Sequence, residues 1–488
     1  RGRIPKINMR PPGLVVRGFR SKLDGSVQPY GLEIPDNYGF IGQDLWRLDM
    51  WFHGRGERMN EVGFIHQRQT KPGQYQPRNT IVLHPYARYS NGNKLAGEID
   101  CLEALEHVQK HYRIDEARIS VRGFSMGGAA CWVFATHYAD KWFAANPGAG
   151  YSETPEFLRV FQGETLAPTW YQRKLWNLYD CNQWALNLKN LPVIAYSGEL
   201  DRQKQAADVM ARDMAKLGMK LTHVIGPKTG HKIHPESKGV IERKMAALAE
   251  MGRKSLSHQA KLQTYSLRYN RTDWLRINEM KEHWRPARIT ADLFEDPGTW
   301  LSDSGEVHFG DVLRIHETEN VEGFSVIFPA GVFSPKDFRA NRGSAGVLIM
   351  KDQEKLGFGL RETDGSTTVH FRKIDDQWQL VDQPYRDGLV KKHGLQGPID
   401  DAFLDSFLFV APTGKHQHDS VREFVERELD HAKTHWRQQF RGHARVKKDS
   451  DVTDADIANH NLILWGDPSS NSIIAKVAMF SLAQSLYS

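Results

Sequence analysis

Long apolar runs are missing from this chain. No stretch of about 18 consecutive apolar residues occurs in its 488 residues, so the sequence offers no transmembrane helix. Cysteine is scarce: Cys101, Cys131 and Cys181 make no disulfide framework, and the first two fall on predicted core helices as packing residues. Charge of one sign is not concentrated either. The net charge is +6 with 25% charged residues and no long Lys/Arg block, which gives a nucleic-acid partner no support. Neither a Gly-x-Gly-x-x-Gly loop nor a Walker pattern is present, no internal repeat is visible, and no cofactor is expected. The chain opens Arg-Gly-Arg without a Met or a signal peptide, the start expected of a processed or partial chain.

What is present is one strong signature. Residues 119–128 read Ile-Ser-Val-Arg-Gly-Phe-Ser-Met-Gly-Gly, a β-branched strand entering a Gly-x-Ser-x-Gly turn. Such a turn lifts the serine hydroxyl of Ser125 above a sheet edge, and Gly123 and Gly127 leave room for the sharp bend. The small apolar run from Gly128 to Ala135 then reads as a helix packed closely on that sheet.

A serine hydroxyl becomes a useful nucleophile only when a histidine takes its proton and a carboxylate orients that histidine. The run Leu191–Asp201 reads as a buried strand ending in a Gly-x-x-Asp loop, with Glu199 as the competing acid. A strand over Lys220–Ile225 leads to Gly226-Pro-Lys-Thr-Gly-His231, and a helix over about Gln203–Leu217 separates the two. His231 is the expected base. His234 follows three residues later, but no third ligand stands at metal spacing, so no metal is expected. The oxyanion donors are expected from the backbone of Met126 and from the loop His53-Gly54-Arg55-Gly56 after the strand Leu48–Phe52. Arg55 either meets an anionic or sugar-like substrate or simply reaches solvent.

These segments, with Asp24–Gly31, make residues from about 15 to 250 resemble the α/β-hydrolase superfamily. The likeness is to bacterial prolyl-oligopeptidase-family (S9-like) hydrolases and feruloyl-esterase-like enzymes. It implies an α/β-hydrolase sheet with helices on both faces and the order nucleophile, acid, histidine, here Ser125, Asp201 and His231. Oligopeptidases of this family generally carry a β-propeller before the hydrolase domain. About 50 residues precede the oxyanion loop here, so no propeller is expected and the esterase reading rises over the peptidase one. Localisation stays open among bacterial cytoplasm, periplasm and secretion.

The expected organisation is an N-terminal tail over 1–15 and a catalytic domain over 16–255 with an aromatic cap at 151–190. A β-rich accessory domain at 262–390 and a small α/β domain at 391–488 follow. In the cap, Trp170, Trp176 and Tyr179 are candidates to stack on a sugar or aromatic acid, or else to bury one helix face. His53, Tyr86 and Arg88 are further substrate-binding candidates at the sheet's carboxyl edge. Trp274, Trp284, Trp300 and Trp378 form either a carbohydrate platform or a β core, and the C-terminal half could carry an oligomer contact. The expected activity is cleavage of carboxylic esters, acetyl or feruloyl groups on small-molecule or polysaccharide substrates. An S9-like peptidase, with Glu57 and Glu61 as holders of a substrate amine, is the alternative; a binding module with a degenerate hydrolase domain is a third. A histidine base predicts that kcat/KM falls in acid as the ring protonates; a flat profile from about pH 5 to about pH 8 would exclude that role.

Overall fold

The protein is described here from a computed structural model covering residues 12–39, 42–56, 58–301, 307–332, 345–351 and 354–478. Eight strands carry the hydrolase-like part: β1 (Gly13–Arg20), β2 (Val27–Ile34), β3 (Trp46–Phe52), β4 (Thr80–Pro85), β5 (Ile114–Phe124), β6 (Ala144–Gly148), β7 (Ile194–Gly198) and β8 (Thr222–Gly226). The chain divides into two compact units, Arg1–Asp44 with Arg55–Arg113 and Gly397–Ser488, and Leu45–Gly54 with Ile114–Gln396.

In the first unit β2 pairs antiparallel with both β1 and β4. The C-terminal residues join the same unit as these N-terminal strands. There a parallel sheet places Phe407–Ala411 between Val446–Lys448 and Asn461–Leu464. Phe407 and Phe409 pack on Trp436 of the helix Asp419–Phe440, together with Leu23 and Ala96. On this helix Val425 and Trp436 are buried, whereas Phe424 is exposed.

In the second unit β3, β5, β6, β7 and β8 run parallel in that order. The helix Met126–His137 is buried along its whole length, which is why its sequence is small and apolar rather than amphipathic. A parallel sheet with a fully buried helix after the serine strand gives the α/β-hydrolase fold class.

The β-rich segment of this unit forms two five-stranded sheets. One runs Arg271–Thr272, Leu275–Met280, Val321–Phe328, Thr367–Ile374, Gln377–Val381; the other runs Glu354–Leu360, Ala345–Lys351, Val307–Glu319, Ala287–Leu301, Gln259–Thr264. Their shared core includes Leu275, Ile289, Phe324, Phe371 and Trp274, with Trp378 packed against it. Trp274 is therefore core, Trp284 is half-buried, and the Trp300 side chain lies outside the described residues. Asn187 joins this segment to the hydrolase helices: its Nδ2 donates to the carbonyls of Thr136 and Gln263, and its Oδ1 accepts from Gln263 N–H.

Beneath the serine strand lies a buried ion network. Asp49 accepts two hydrogen bonds from Arg47, one from Arg122 and one from the Ser120 hydroxyl, all at 2.8–2.9 Å. Burial would push the Asp49 carboxyl up, but the Arg47 and Arg122 guanidinia hold it below its ordinary value. A lowered folded value means that this contribution to stability is present at neutral pH and is lost as pH falls through it. Asp49→Ala takes the carboxylate from buried Arg47 and leaves Arg122 with Glu242, and is expected to cost about 3–5 kcal/mol in a urea melt; a loss under about 1 kcal/mol would show the network to be dispensable.

Candidate active site

The serine turn is sterically forced. Ser125 itself sits at φ 61°, a left-handed conformation unusual for a side-chain-bearing residue and typical of strained functional turns. A Cβ on Gly127 would overlap the Phe52 carbonyl, and one on Gly123 would overlap the Gly127 carbonyl. The glycines permit the close approach of β3 and β5 at which the hydroxyl is presented.

Three side chains from three strand ends then form one hydrogen-bonded chain. His231 Nε2 lies 2.9 Å from Ser125 Oγ, and His231 Nδ1 lies 2.8 Å from Asp201 Oδ2. Asp201 follows β7 and is buried; His231 follows β8 and stays partly open. Glu199, the competing acid, is used otherwise: its carboxylate accepts at 2.6 Å the backbone N–H of Lys228, in the loop that carries His231. His234 is the residue before the helix Pro235–Met251, and its N–H donates to Tyr196 Oη. No group of three or more His, Cys, Asp or Glu able to hold a metal occurs among the described residues.

The sequence reading overlooked the groups that hold this chain in place. Tyr196 Oη donates to the Lys232 carbonyl while accepting from His234, which clamps the histidine loop. The Phe124 ring packs 4.8 Å from the His231 ring. Phe124 is the variable residue before the serine, so the motif gave no hint of it. Tyr196 sits in an apolar strand run where a phenol reads as core.

Met126 begins its helix, so its N–H has no acceptor within that helix and is free to serve an incoming oxyanion. Gly54 approaches closely as well: a Cβ there would stand 3.8 Å from the Ser125 Cβ. His53 Nδ1 hydrogen-bonds the Gly54 carbonyl at 2.9 Å, which fixes that peptide's orientation. Arg55 is exposed.

Other candidates are placed differently. Arg88 is fully buried, with its guanidinium on Asp24 at 2.7 and 3.1 Å, on Asp100 at 3.0 Å and on the Phe440 carbonyl at 3.0 Å. A guanidinium so deeply buried between two carboxylates is out of reach of substrate, a correction to its expected binding role. Tyr86 is likewise fully buried, 5.1 Å from Phe64 and stacked on Tyr89. Tyr179 packs 5.8 Å from His137, at the far end of the helix whose first turn follows Ser125. Twelve helical residues span about 18 Å, so Tyr179 is far from the serine. Trp184 of the same segment is buried with Tyr265 and Tyr269. In the helix Trp170–Trp176, Trp170 is exposed with Lys174 over its ring, and Trp176 is half-buried. Glu61 pairs with Arg437 at 3.3 Å, while Glu57 lies outside the described residues.

The segment that follows β6 builds an aromatic ladder. Gly150 packs against the Ser125 carbonyl, and Tyr151 follows it. Tyr151 lies 4.7 Å from Phe157, Phe157 stacks 5.2 Å from Phe161, and the Arg202 guanidinium sits 5.7 Å over Phe161. Arg202 is the residue after Asp201.

Residues 87–250 match the prolyl oligopeptidase family (Peptidase_S9), and over this segment the chain has the make-up of a serine hydrolase of the S9 and α/β-hydrolase class. No curated protein matches significantly. Among solved structures, a Bacteroides ovatus protein assigned to dipeptidyl aminopeptidase IV is 13% identical, with TM-score 0.38 over 49% of this chain and 36% of its own. The acylaminoacyl peptidase of Pyrococcus horikoshii is 15% identical, with TM-score 0.38 over 50% of this chain and 43% of its own. A ferulic acid esterase is 15% identical, with TM-score 0.37 over 49% of this chain and 97% of its own. The match thus spans well under half the length of the two peptidases.

Asp201→Asn, which puts the imidazole in the wrong tautomer, is expected to lower kcat/KM by about 10⁴-fold, while Glu199→Gln stays within about threefold of wild type. The reverse ranking in a steady-state ester assay would move the acid to Glu199.

Proposed function

We propose that the chain cleaves carboxylic esters through an acyl-enzyme formed on Ser125. The supporting observation is the unbroken chain Ser125–His231–Asp201 at 2.9 and 2.8 Å. Ser125 Oγ attacks the ester carbonyl while His231 Nε2 takes its proton. Buried Asp201 holds Nδ1 protonated and stabilises the imidazolium that results. Charge on the tetrahedral oxygen falls to the Met126 N–H and the Gly54 loop. His231 then returns its proton to the leaving alkoxide, and water, activated by the same ring, attacks the acyl carbonyl and frees Ser125.

The preferred substrates on this reading are acyl esters of carbohydrate, feruloyl before acetyl. The Tyr151, Phe157 and Phe161 ladder supports an aromatic acyl group, because offset rings at these spacings extend naturally to one more ring. An S9-like peptidase is the second reading, supported by the family match. An aminopeptidase needs a carboxylate to hold the substrate amine, and Glu61, already paired with Arg437, is a poor source of it.

The deciding assay compares short-chain nitrophenyl esters, feruloyl esters and aminoacyl-nitroanilides, with Ser125→Ala as control. Feruloyl ester cleavage is expected to fall at least about 10⁴-fold in Ser125→Ala, with silent anilides. Phe157→Ala is expected to lower feruloyl kcat/KM about tenfold while leaving acetyl esters nearly unchanged, the worth of one lost ring contact. Serine-dependent anilide cleavage would move the chain to the peptidase branch, and equal losses on both esters would remove the ladder from the acyl site.

A further inference from the structure

A second site lies at the opposite end of the strands that deliver the acid and the base. A cavity of about 670 Å³ opens where β7 and β8 begin, bordered by the helix Pro235–Met251 and the strand Gln259–Thr264. That volume is in the range of small-ligand pockets. Its floor is apolar, with Leu188, Ile194, Met214 and Leu248 among its residues. Its rim carries four lysines, Lys189, Lys220, Lys244 and Lys261, and no Asp or Glu lines it.

The four lysines come from four different elements: the segment Cys181–Asn190, the turn before β8, the helix Pro235–Met251 and the strand Gln259–Thr264. Among the described residues none of the four ammonium groups makes an ion pair or a hydrogen bond; Lys261 meets the Asn190 side chain through its backbone alone. Elsewhere Lys204 is answered by Asp208, Lys216 by Asp213 and Lys447 by Asp456. Four unanswered cations around one concave apolar surface repel one another and focus positive potential into it. An anion with an apolar body relieves both features at once: its charge screens the lysines and its body covers the floor.

We propose that this cavity binds a small amphipathic carboxylate, with the carboxylate among Lys189, Lys220, Lys244 and Lys261 and the apolar body on the Leu188, Met214 and Leu248 floor. The site is separate from Ser125 and does not depend on the chemistry assigned there.

The test is calorimetric titration of the full chain with octanoate, 1-octanol and inorganic phosphate. Octanoate is expected to bind one to one. Its affinity falls at least about tenfold in Lys220→Glu/Lys244→Glu and weakens in about 0.5 M salt, as charge pairing requires. Octanol and phosphate, each carrying half of the required chemistry, bind at least about tenfold more weakly. Ser125→Ala retains wild-type octanoate affinity. Unchanged affinity in the lysine variant overturns the proposal, as does octanol or phosphate binding as tightly as octanoate. Octanoate binding abolished by Ser125→Ala also overturns it, by placing the ligand at the serine. Should the charge reversal lower the melting temperature, Lys220→Gln/Lys244→Gln is read by the same criteria.

Discussion

Everything at the serine depends on one buried carboxylate. Asp49 on β3 is held by Arg47 on its own strand and by Arg122 and Ser120 on β5. In the parallel pairing Asp49 stands opposite Ser120, and Trp51 opposite Arg122. A slip of one residue would move the strands by about 3.3 Å and turn these charged side chains to the other face, stranding them without partners. The cost of an unpaired buried charge thus fixes the register. That register also sets how the last residues of β3 meet the last of β5, where the Phe52 carbonyl grazes Gly127 and Gly54 lies beside Ser125. The electrostatics of the sheet interior and the geometry of the proposed oxyanion site are therefore one constraint seen at two heights along the same strands.

The same logic explains which residues were legible in advance. Ser125, Asp201 and His231 each follow a short apolar strand and each sit among glycines, so punctuation and chemistry coincide in one local segment. The structure joins them at hydrogen-bonding distance. Arg88 also follows an apolar strand and looked equally exposed. Its partners Asp24 and the Phe440 carbonyl lie 64 and 352 residues away, and no local pattern announces such a pairing. Aromatic residues were ambiguous for a related reason. Tyr179 and Trp184 fill a core beside His137, Tyr265 and Tyr269, whereas Tyr151, Phe157 and Phe161 pack on one another in the segment after β6. Both sets read simply as aromatic, and only the partners each finds in the fold separate them.

The β-rich segment was readable as strands but not as sheets. Alternation over residues 262–269, 288–293, 325–328 and 368–371 reads as four strands; the last three lie within strands of the structure, while the first leaves its strand after Thr264 and ends in the short helical turn Leu267–Tyr269. How they pair was not written locally. Val307–Glu319 pairs antiparallel with its predecessor Ala287–Leu301 but parallel with Ala345–Lys351, and a parallel pair can only come from a connection that crosses over. The C-terminal residues posed the same difficulty more sharply. Their sequence reads as a small domain of its own, yet Leu23 and Ala96 share the core of their central strand.

The two ends of β7 and β8 carry opposite chemistries, and the separation has a consequence. Both strands end at a glycine that releases a loop bearing a member of the proposed triad, and both begin at the apolar, lysine-rimmed cavity. Five strand residues span about 17 Å, roughly twice the distance over which charges remain unscreened in physiological salt. A carboxylate among the four lysines therefore reaches Asp201 and His231 only weakly through its field. Any influence on the hydroxyl has to travel mechanically, through β7 and β8 and the Tyr196 clamp on the histidine loop. Tyr196 is the natural relay because it stands within β7 while its hydroxyl holds the loop that follows β8. A ligand that shifts the start of β7 without altering that clamp would leave the catalytic geometry untouched.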